Sequence, residues 1–518
     1  MKRLSTNKKY SLLISGVIFI VFIICAYLLV LNRAMVKGFE HDENQFVASA
    51  YLFSTDWMLP YVDYPYFHMP NLIFIYAVLF KFTSYKLMAA RYFSVLSATL
   101  TVALIFWITF SLFKKTSLKL RLVMALCAGL LLLADPLFIY VAGRAWNHDL
   151  SILLALIATV VLVLGFQKVK QNRWLFLSGV LLSLAIGVRA MWGAAIPPFL
   201  IAIFLYMKGE SLFKKLSLAL WFSLGGILGM FPSVILFFMA PDRFIFGNFG
   251  YAQLNTLYRQ QTGYNRKMSL FSKMDFFLDF QEPGFWLLLL MIVFTIYVLG
   301  ILRFRRLKKM DNTMLFGMIL ILFIFFGTLV PTPSWRQYFY AIVPFSIIGI
   351  MYQVAEITQE NTESIYQGWA VNLIVLLTIF SGFYGLGDLP TSLNPDRINT
   401  WFPLHIHWSA EKIAAKVDSG KILTLVPMFV IEAGRDIYPE FATGPFAWRT
   451  ASLMPQDQRE NFDMVGPEDL ESYLSQQKPA GFLVGWEPDL ESQILSYIQK
   501  YGYESKREIT DKLDLYFP

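Results

Sequence analysis

The tripeptide His41-Asp42-Glu43 is the first candidate for chemistry, because it places two adjacent carboxylates a few residues beyond a long apolar run. One such carboxylate can act as a general base that takes a proton from an acceptor hydroxyl, while the second orients it. An isolated Asp-Glu pair is more commonly a solvated loop start. The surrounding sequence therefore decides between the two interpretations.

Further polar residues recur in two neighbouring segments. The first segment continues through Tyr61-Val62-Asp63 to His68-Met69-Pro70-Asn71, and a later turn reads Arg144-Ala145-Trp146-Asn147-His148-Asp149. That turn adds a second acid, Asp149, beside a fixed cation, Arg144. The repeated combination favours a functional site over an ordinary loop.

A divalent metal ion is a second interpretation of the same residues. Three carboxylates and the histidines could together form such a site, and an ion could hold a substrate phosphate. No histidine pair has the helical spacing that is diagnostic in metalloprotease motifs. A metal held by His41, His68 and His148 therefore stays an open hypothesis.

Composition assigns the chain to the membrane class. Hydrophobic residues make up 56% of its 518 residues and charged residues only 15%, whereas soluble domains carry about 25% charged residues. Apolar runs such as 11–31, 216–239 and 285–302 approach or exceed the roughly 20 residues that cross a bilayer. The net charge of +8 is mostly confined to short loops between such runs, so nucleic acid is excluded as a partner.

The loop charges predict an orientation. Basic clusters fall on one side of the membrane, which is cytoplasmic by the positive-inside rule, if the short apolar segment 69–82 is a juxtamembrane helix on the outer surface. The N-terminus is then cytoplasmic in an inner or plasma membrane, and the loop 32–90 is outside. About eleven crossings are predicted, near 11–31, 91–113, 120–141, 149–167, 174–190, 192–207, 216–239, 284–302, 313–330, 337–355 and 369–387.

After residue 387 the composition becomes that of a soluble domain. Residues 421–430, 481–486 and 513–517 have the pattern of strands, and 467–477 and 489–501 that of amphipathic helices. We therefore predict a transmembrane domain over 1–387 and a small extracytoplasmic α/β domain over 388–518. Glu432, Arg435, Asp436 and Arg449 could be surface charges of that domain or part of a binding site.

The chain resembles the C-type membrane glycosyltransferase superfamily, in particular family 39, the dolichyl-phosphate-mannose protein mannosyltransferases and their bacterial relatives that use undecaprenyl-phosphate sugars. The resemblance rests on the Asp42-Glu43 pair after the first span, His68 at the start of a juxtamembrane helix, Arg91 entering the second span, and Arg144 followed by Asp149 after the third. Asn71 departs from the family's His-Pro-Pro-Leu pattern. The resemblance implies that Asp42 is catalytic and that the sugar inverts on transfer.

A departing polyprenyl phosphate gains charge as the glycosidic bond breaks, so nearby cations lower the barrier. Arg336, in a proline-rich turn that ends at Tyr338, and Arg189, at the end of a span, are the foremost of several outer arginines that also include Arg259. An interfacial arginine that extends toward lipid headgroups is the alternative for each.

Two other functions compete with sugar transfer. A transporter or flippase of a lipid-linked intermediate would carry ionisable residues at mid-membrane depth, and a glycan polymerase or ligase would use the same donor side. The sequence identifies neither the sugar nor the acceptor, which could be a glycan, a lipid or a protein. The expected partners are a polyprenyl-phosphate-linked sugar and membrane lipids.

Overall fold

A computed structural model describes residues 6–264, 268–278, 293, 300, 311–359, 364–392 and 394–518. Over these residues the protein is mostly helical, with one small sheet near the C-terminus. The predicted class, a helical membrane protein with a small α/β region, is confirmed.

Long apolar helices dominate the first part of the chain. Within the described ranges, eight are long and apolar enough to cross a membrane: Leu13–Val36, Lys86–Leu112, His148–Gly165, Gln171–Val188, Leu212–Gly229, Asn312–Leu329, Arg336–Gln359 and Gly368–Gly385. These correspond to eight of the predicted spans. The span predicted near 284–302 lies outside the described residues, so the count of eleven stays a prediction.

Two predicted spans are interrupted by proline. The span predicted at 120–141 is divided into helices Leu118–Leu133 and Pro136–Val141, because the Asp135 carboxylate caps a new helix by accepting from the backbone N–H groups of Leu137 and Phe138 at 2.9 and 3.0 Å. The apolar run 216–239 is divided at Met230, just before a proline that cannot donate a helical hydrogen bond.

The remaining helices are shorter. The span predicted at 192–207 consists of the 3-10 helix Ala190–Ala195 and the helix Ile196–Tyr206. The other short helices of the described membrane part are Phe231–Met239, Pro241–Ile245, the π-helix Phe246–Gly250, Tyr251–Gln261 and Leu270–Leu278.

Residues 41–56 form a helix, where the sequence predicted a loop. This helix, His41–Asp56, is called the Asp42 helix below. The spacing of apolar residues does not predict this helix, because its buried side includes the polar residues Glu43, Asn44 and Gln45. Asp42 therefore lies in the first turn of a helix, a more rigid position than a loop.

The short apolar segment 69–82 contains the helix Asn71–Phe80. Ten residues rise only about 15 Å, roughly half of the hydrocarbon thickness, so this helix cannot cross by itself. Asn71 packs against Gly187, where a Cβ atom would lie 2.0 Å from the Asn71 Nδ2. The departure from the family motif is thus accommodated by a glycine on a neighbouring helix.

The C-terminal part contains a five-stranded sheet. Its strands are β1 Lys421–Thr424, β2 Asp436–Ile437, β3 Gly481–Val484, β4 Ser505–Glu508 and β5 Asp514–Phe517. Their order is β2-β1-β3-β5-β4, with β2, β1 and β3 parallel and the last two pairs antiparallel. The strand predicted at 421–430 ends early, because residues 427–432 turn into a helix that begins with proline.

The C-terminal part also contains helices. They are Leu389–Ser392, Phe402–Ala414, Pro427–Glu432, Pro445–Ala451, Gln456–Asn461, Leu470–Gln476 and Ser492–Lys500. The last two match the predicted amphipathic helices. A continuous apolar cluster runs from the membrane helices into this region.

Direct contacts join the C-terminal region to the Asp42 helix and its neighbours. The Asn44 Oδ1 accepts from the Met428 backbone N–H at 3.4 Å. Glu432 is buried, and its carboxylate accepts from the Leu87 N–H at 2.7 Å and pairs with His407 at 2.8 Å. Glu432 is therefore a residue of the interface rather than a surface charge, and the C-terminal region lies on the same side as Asp42.

Candidate functional site

A fully buried ion pair anchors the start of the Asp42 helix. The Glu43 carboxylate accepts from Arg91 Nε at 2.8 Å and from Nη2 at 2.6 Å, and also from the Ala145 backbone N–H at 2.9 Å. Both charged side chains have no exposed surface. Burial alone would raise the pKa of Glu43, but Arg91, with help from Arg144, holds it below its usual range. Glu43 is thus ionised and fixed.

Arg91 also donates hydrogen bonds to backbone carbonyls at the end of the first span. Its Nη1 donates to the carbonyls of Ala34 and Lys37 at 2.9 and 2.8 Å, and its Nη2 donates to Gly38 at 3.1 Å. These bonds connect the first and second spans and the Asp42 helix at one point. The position of Asp42, one residue before Glu43, is fixed by this arrangement.

Asp42 faces the other way and is only half-buried. No hydrogen bond to its carboxylate is formed within the described part of the chain, in contrast to its neighbour Glu43. Burial raises the pKa of Asp42 above its ordinary value, and Glu40 adds to this, while His41, Arg449 and Arg189 oppose it. Asp42 is therefore a carboxylate with free lone pairs and flanking cations.

Arg189 forms one side of the site. Its Nη1 donates to Asn147 Oδ1 at 2.8 Å and lies 3.0 Å from His148 Nε2, and its guanidinium lies 5.0 Å from the centre of the Tyr338 ring. It comes from the end of a span, in an extended conformation. Its Nε is buried without a hydrogen-bond partner, so the group retains a donor.

His68 lies near the same arginine. Its ring stacks on Phe46 of the Asp42 helix with a centroid distance of 5.2 Å. Burial, with a smaller effect of Arg189, lowers the pKa of His68 to about 3. This histidine is neutral at physiological pH and does not supply a proton there.

His41 connects the site to the C-terminal region. Its Nδ1 lies 2.7 Å from the Glu487 Oε1. This contact is the main reason that the pKa of His41 is raised, while burial opposes the rise. Glu487 follows the third strand, β3, and thus a C-terminal carboxylate is held next to His41, the residue before Asp42.

Asp149 is held in a separate environment. Its carboxylate accepts from the Gly143 backbone N–H at 2.8 Å and from the Tyr340 hydroxyl at 3.3 Å. It is buried, and its bonds do not extend to Asp42. The two acids are linked indirectly, since His148 precedes Asp149 and contacts Arg189.

Arg144 and Arg336 both lie against Tyr140. The Arg144 guanidinium is 5.4 Å from the Tyr140 ring centre, and that of Arg336 is 3.7 Å from it. Arg144 also donates to the Gly38 carbonyl at 3.0 Å and lies 3.5 Å from Glu40. Both predicted arginines are thus part of one aromatic cluster beside the start of the Asp42 helix.

Glu487 was not predicted as a site residue, and for Arg449 the sequence left open a surface charge or part of a binding site. Arg449 lies on a short helix of the C-terminal region, and its positive charge acts on both Asp42 and His41. No local motif marks either residue. Arg449 is a charge that follows a short apolar segment, whereas Glu487 is followed by the further acids Asp489 and Glu491.

The predicted metal ligands His41, His68 and His148 do not form a metal-binding group. Among the described residues, no group of three histidine, cysteine or acidic side chains is placed to hold a metal ion. His41 pairs with Glu487, and His148 contacts Arg189. Metal dependence stays a hypothesis.

No protein-family model and no curated protein matches the chain. Solved structures do match. ArnT from Cupriavidus metallidurans in the apo state aligns over 99% of this chain and 98% of its own, with a TM-score of 0.61 at 14% identity. The same protein bound to undecaprenyl phosphate covers 97% of both chains, with a TM-score of 0.59 at 14% identity.

Archaeal oligosaccharyltransferase AglB from Archaeoglobus fulgidus, in complex with an inhibitory peptide and a dolichol-phosphate, is also similar. It covers 94% of this chain and 70% of its own, with a TM-score of 0.52 at 12% identity. At these identities the similarity shows the fold. The chain has the fold of the C-type membrane glycosyltransferases, as the resemblance implied, whereas membership of family 39 stays a prediction.

Proposed function

We propose that this protein transfers a sugar from a polyprenyl-phosphate donor to an acceptor hydroxyl on the extracytoplasmic face of the membrane. The observation that carries the proposal is Asp42, a half-buried carboxylate that keeps its lone pairs free between Arg189 and Arg449. It stands in a fold shared with a protein solved with undecaprenyl phosphate. Asp42 is the proposed catalytic base.

In the proposed reaction, the acceptor oxygen bonds to the anomeric carbon while its proton passes to the Asp42 carboxylate. The bond between that carbon and the phosphate oxygen breaks, and the polyprenyl phosphate leaves with the electron pair. The raised pKa makes Asp42 a better proton acceptor than an exposed aspartate. Arg189, with a free Nε donor, stabilises the charge on the departing phosphate.

The other predicted site residues support this centre in our proposal. Glu43 and Arg91 position Asp42 through their buried pair, and Asp149 positions the turn that carries His148. Arg144 and Arg336 contribute positive potential near the start of the Asp42 helix, because both lie against Tyr140 and Arg144 also lies close to Glu40.

The extracytoplasmic assignment follows from the loop charges, because the basic clusters lie on the side opposite to Asp42 in the predicted topology. A cysteine introduced at Ile75, on the short helix Asn71–Phe80, should react with an impermeant thiol reagent in intact cells. Labelling only after cell lysis would show that this helix lies on the cytoplasmic side instead.

Transfer of a whole glycan is the second candidate. It is favoured by the similarity to an oligosaccharyltransferase, and it uses the same base and the same leaving group. Mass analysis of glycolipids and glycoproteins from cells with and without the protein distinguishes the two, because the mass lost equals one sugar or a chain.

Asp42→Asn tests the proposed base. Asparagine keeps the shape but not the basicity, so transfer from lipid-linked sugar donors extracted from membranes should fall roughly 10² to 10⁴-fold, with donor binding retained. Asp56→Asn, at the exposed end of the same helix, is the matched control and should be as active as the wild type. Near-normal turnover of Asp42→Asn would eliminate Asp42 as the base.

A further inference from the structure

Two arginines meet at the junction between the membrane part and the C-terminal region. Arg259 lies on helix Tyr251–Gln261, and Arg449 lies on helix Pro445–Ala451. Their guanidinium groups are 5.9 and 5.5 Å from the centre of the same Tyr258 ring. Two like charges from distant parts of the sequence are therefore held against one side chain.

Among the described residues neither arginine forms a direct ion pair with a carboxylate, and the acid on which the Arg449 charge acts is Asp42. Arg449 Nη2 donates to the neutral Asn255 Oδ1 at 2.8 Å, and the Nε atoms of both arginines are buried without an acceptor. Burial lowers the pKa of Arg259, and the charge of Arg449 lowers it further. By contrast, Arg91 and Arg459 both pair directly with carboxylates.

Two half-buried guanidinium groups that repel each other are costly unless an anion joins them. The planar, multi-donor shape of arginine suits a phosphate, which accepts two parallel hydrogen bonds from each group. Aromatic rings border the pair, since Arg259 also lies 5.9 Å from the ring of Tyr264 and 5.8 Å from that of Trp335. Such rings pack well against a sugar or an isoprenoid next to a phosphate.

The pair is distinct from the Arg189 side of the site. Arg189 acts on Asp42 from the membrane side together with His148. Arg449 acts on Asp42 and His41 from the C-terminal region, and Arg259 lies beyond Arg449. Asp42 thus has cations on two sides, although one departing phosphate needs only one set.

We propose that Arg259 and Arg449 form a second anion site, which binds a phosphate group of a substrate at the junction of the two regions. Assigning that phosphate to a substrate rests on the proposed transfer function, whereas the binding of an anion does not. The phosphate has two candidate sources: the second phosphate of a diphosphate-linked donor, or a phosphate carried by the acceptor.

The direct test measures binding of inorganic pyrophosphate to the purified full-length protein in detergent by isothermal titration calorimetry. Arg259→Gln and Arg449→Gln should each weaken binding about tenfold or more, because each removes charge-assisted hydrogen bonds. Arg507→Gln, at an exposed position of β4, removes one charge from the same region and should leave the affinity unchanged. Unchanged affinity in both site variants would overturn the proposal.

Arg259→Lys and Arg449→Lys keep the charge and much of the aromatic packing, which guards against a folding defect. They should lose less affinity than the glutamine variants, and thermal unfolding without pyrophosphate should match that of the wild type. If lysine and glutamine variants at both positions bind like the wild type while remaining folded, no second anion site exists.

Lipid probes distinguish the sources. Tighter binding of undecaprenyl diphosphate than of undecaprenyl phosphate, with the difference lost in Arg449→Gln, would assign the site to the donor. Equal binding of the two lipids, with glucose 1-phosphate but not glucose displacing pyrophosphate, would assign it to the acceptor. If Arg449→Gln and Arg189→Gln weaken undecaprenyl phosphate equally, there is one anion site, and the proposal is wrong.

Asp42→Asn separates this inference from the proposed function. The variant should bind pyrophosphate at least as tightly as the wild type does, because asparagine leaves both arginines in place and removes a negative charge near Arg449. Wild-type turnover by Asp42→Asn together with arginine-dependent pyrophosphate binding would reject the base and keep the anion site. Loss of turnover together with pyrophosphate binding that does not depend on the two arginines would keep the base and reject the anion site.

Discussion

Glu43→Gln should destabilise the protein, although it alters a side chain next to the proposed base. The substitution removes the charge that compensates Arg91 in a place where neither side chain has exposed surface. The carboxylate also loses part of its bonding to the two Arg91 nitrogens at 2.8 and 2.6 Å and to the Ala145 N–H at 2.9 Å. Breaking a buried pair from one side costs about 3–5 kcal/mol.

The free energy of unfolding can be followed by tryptophan fluorescence during a sodium dodecyl sulfate titration in mixed micelles. Asp42→Asn is the control, and it should change stability by less than about 0.5 kcal/mol, because Asp42 is only half-buried and accepts no hydrogen bond from the described residues. The double variant Glu43→Gln/Arg91→Gln should cost less than the sum of the single variants by up to about 3 kcal/mol, since no charge is left unpaired.

The same ion pair determines the direction in which the free energy of unfolding changes with pH. The pKa of Glu43 is lowered in the folded state, so its stabilisation is complete above the unfolded value of about 4.3 and is lost as the pH falls through the lower folded value. A Glu43→Gln variant as stable as the wild type at neutral pH, together with an unstable Asp42→Asn, would refute the division of roles between the two acids.

Four further outcomes are expected. The midpoint of the acid limb of the pH–rate profile should lie above about pH 3.9, the ordinary aspartate pKa, because burial raises the pKa of Asp42. A midpoint below that value would contradict this expectation. His68→Gln should keep the shape of the pH–rate profile between about pH 5 and 8, since His68 is already neutral there, and a lost limb would contradict it. In single-turnover assays Arg189→Gln should lower the rate about 10²-fold and Arg189→Lys should lower it less, because the Arg189 charge stabilises the leaving phosphate. An unchanged rate in Arg189→Gln would contradict that role. Chelation with EDTA should abolish transfer, with recovery on adding Mg²⁺ or Mn²⁺, only if the metal hypothesis is correct; unchanged rates would remove it.

Part of the candidate site could be predicted from short sequence segments. Asp42, His68, Arg189 and His148 were each identified from local context, and the structure places them around one centre. Each belongs to a segment that ends or begins an apolar run, so the topology alone directs them to one side of the membrane. The choice of Asp42 over Glu43 as the base rested on the family resemblance alone, because the two side chains have the same chemistry and differ only in the direction that each faces.

The sequence by itself determined the membrane class and eight of the spans, because the length of an apolar run is a local property that the bilayer thickness selects. It also determined most of the strands of the small sheet. Only the tertiary structure revealed the helix at 41–56, in which the buried Glu43 carboxylate and the Asn44 Oδ1 find partners on other elements. Only it brought Arg449 to Asp42 and Glu487 to His41, about 400 residues earlier in the chain. Long-range packing decides such contacts, and no local period or motif encodes them.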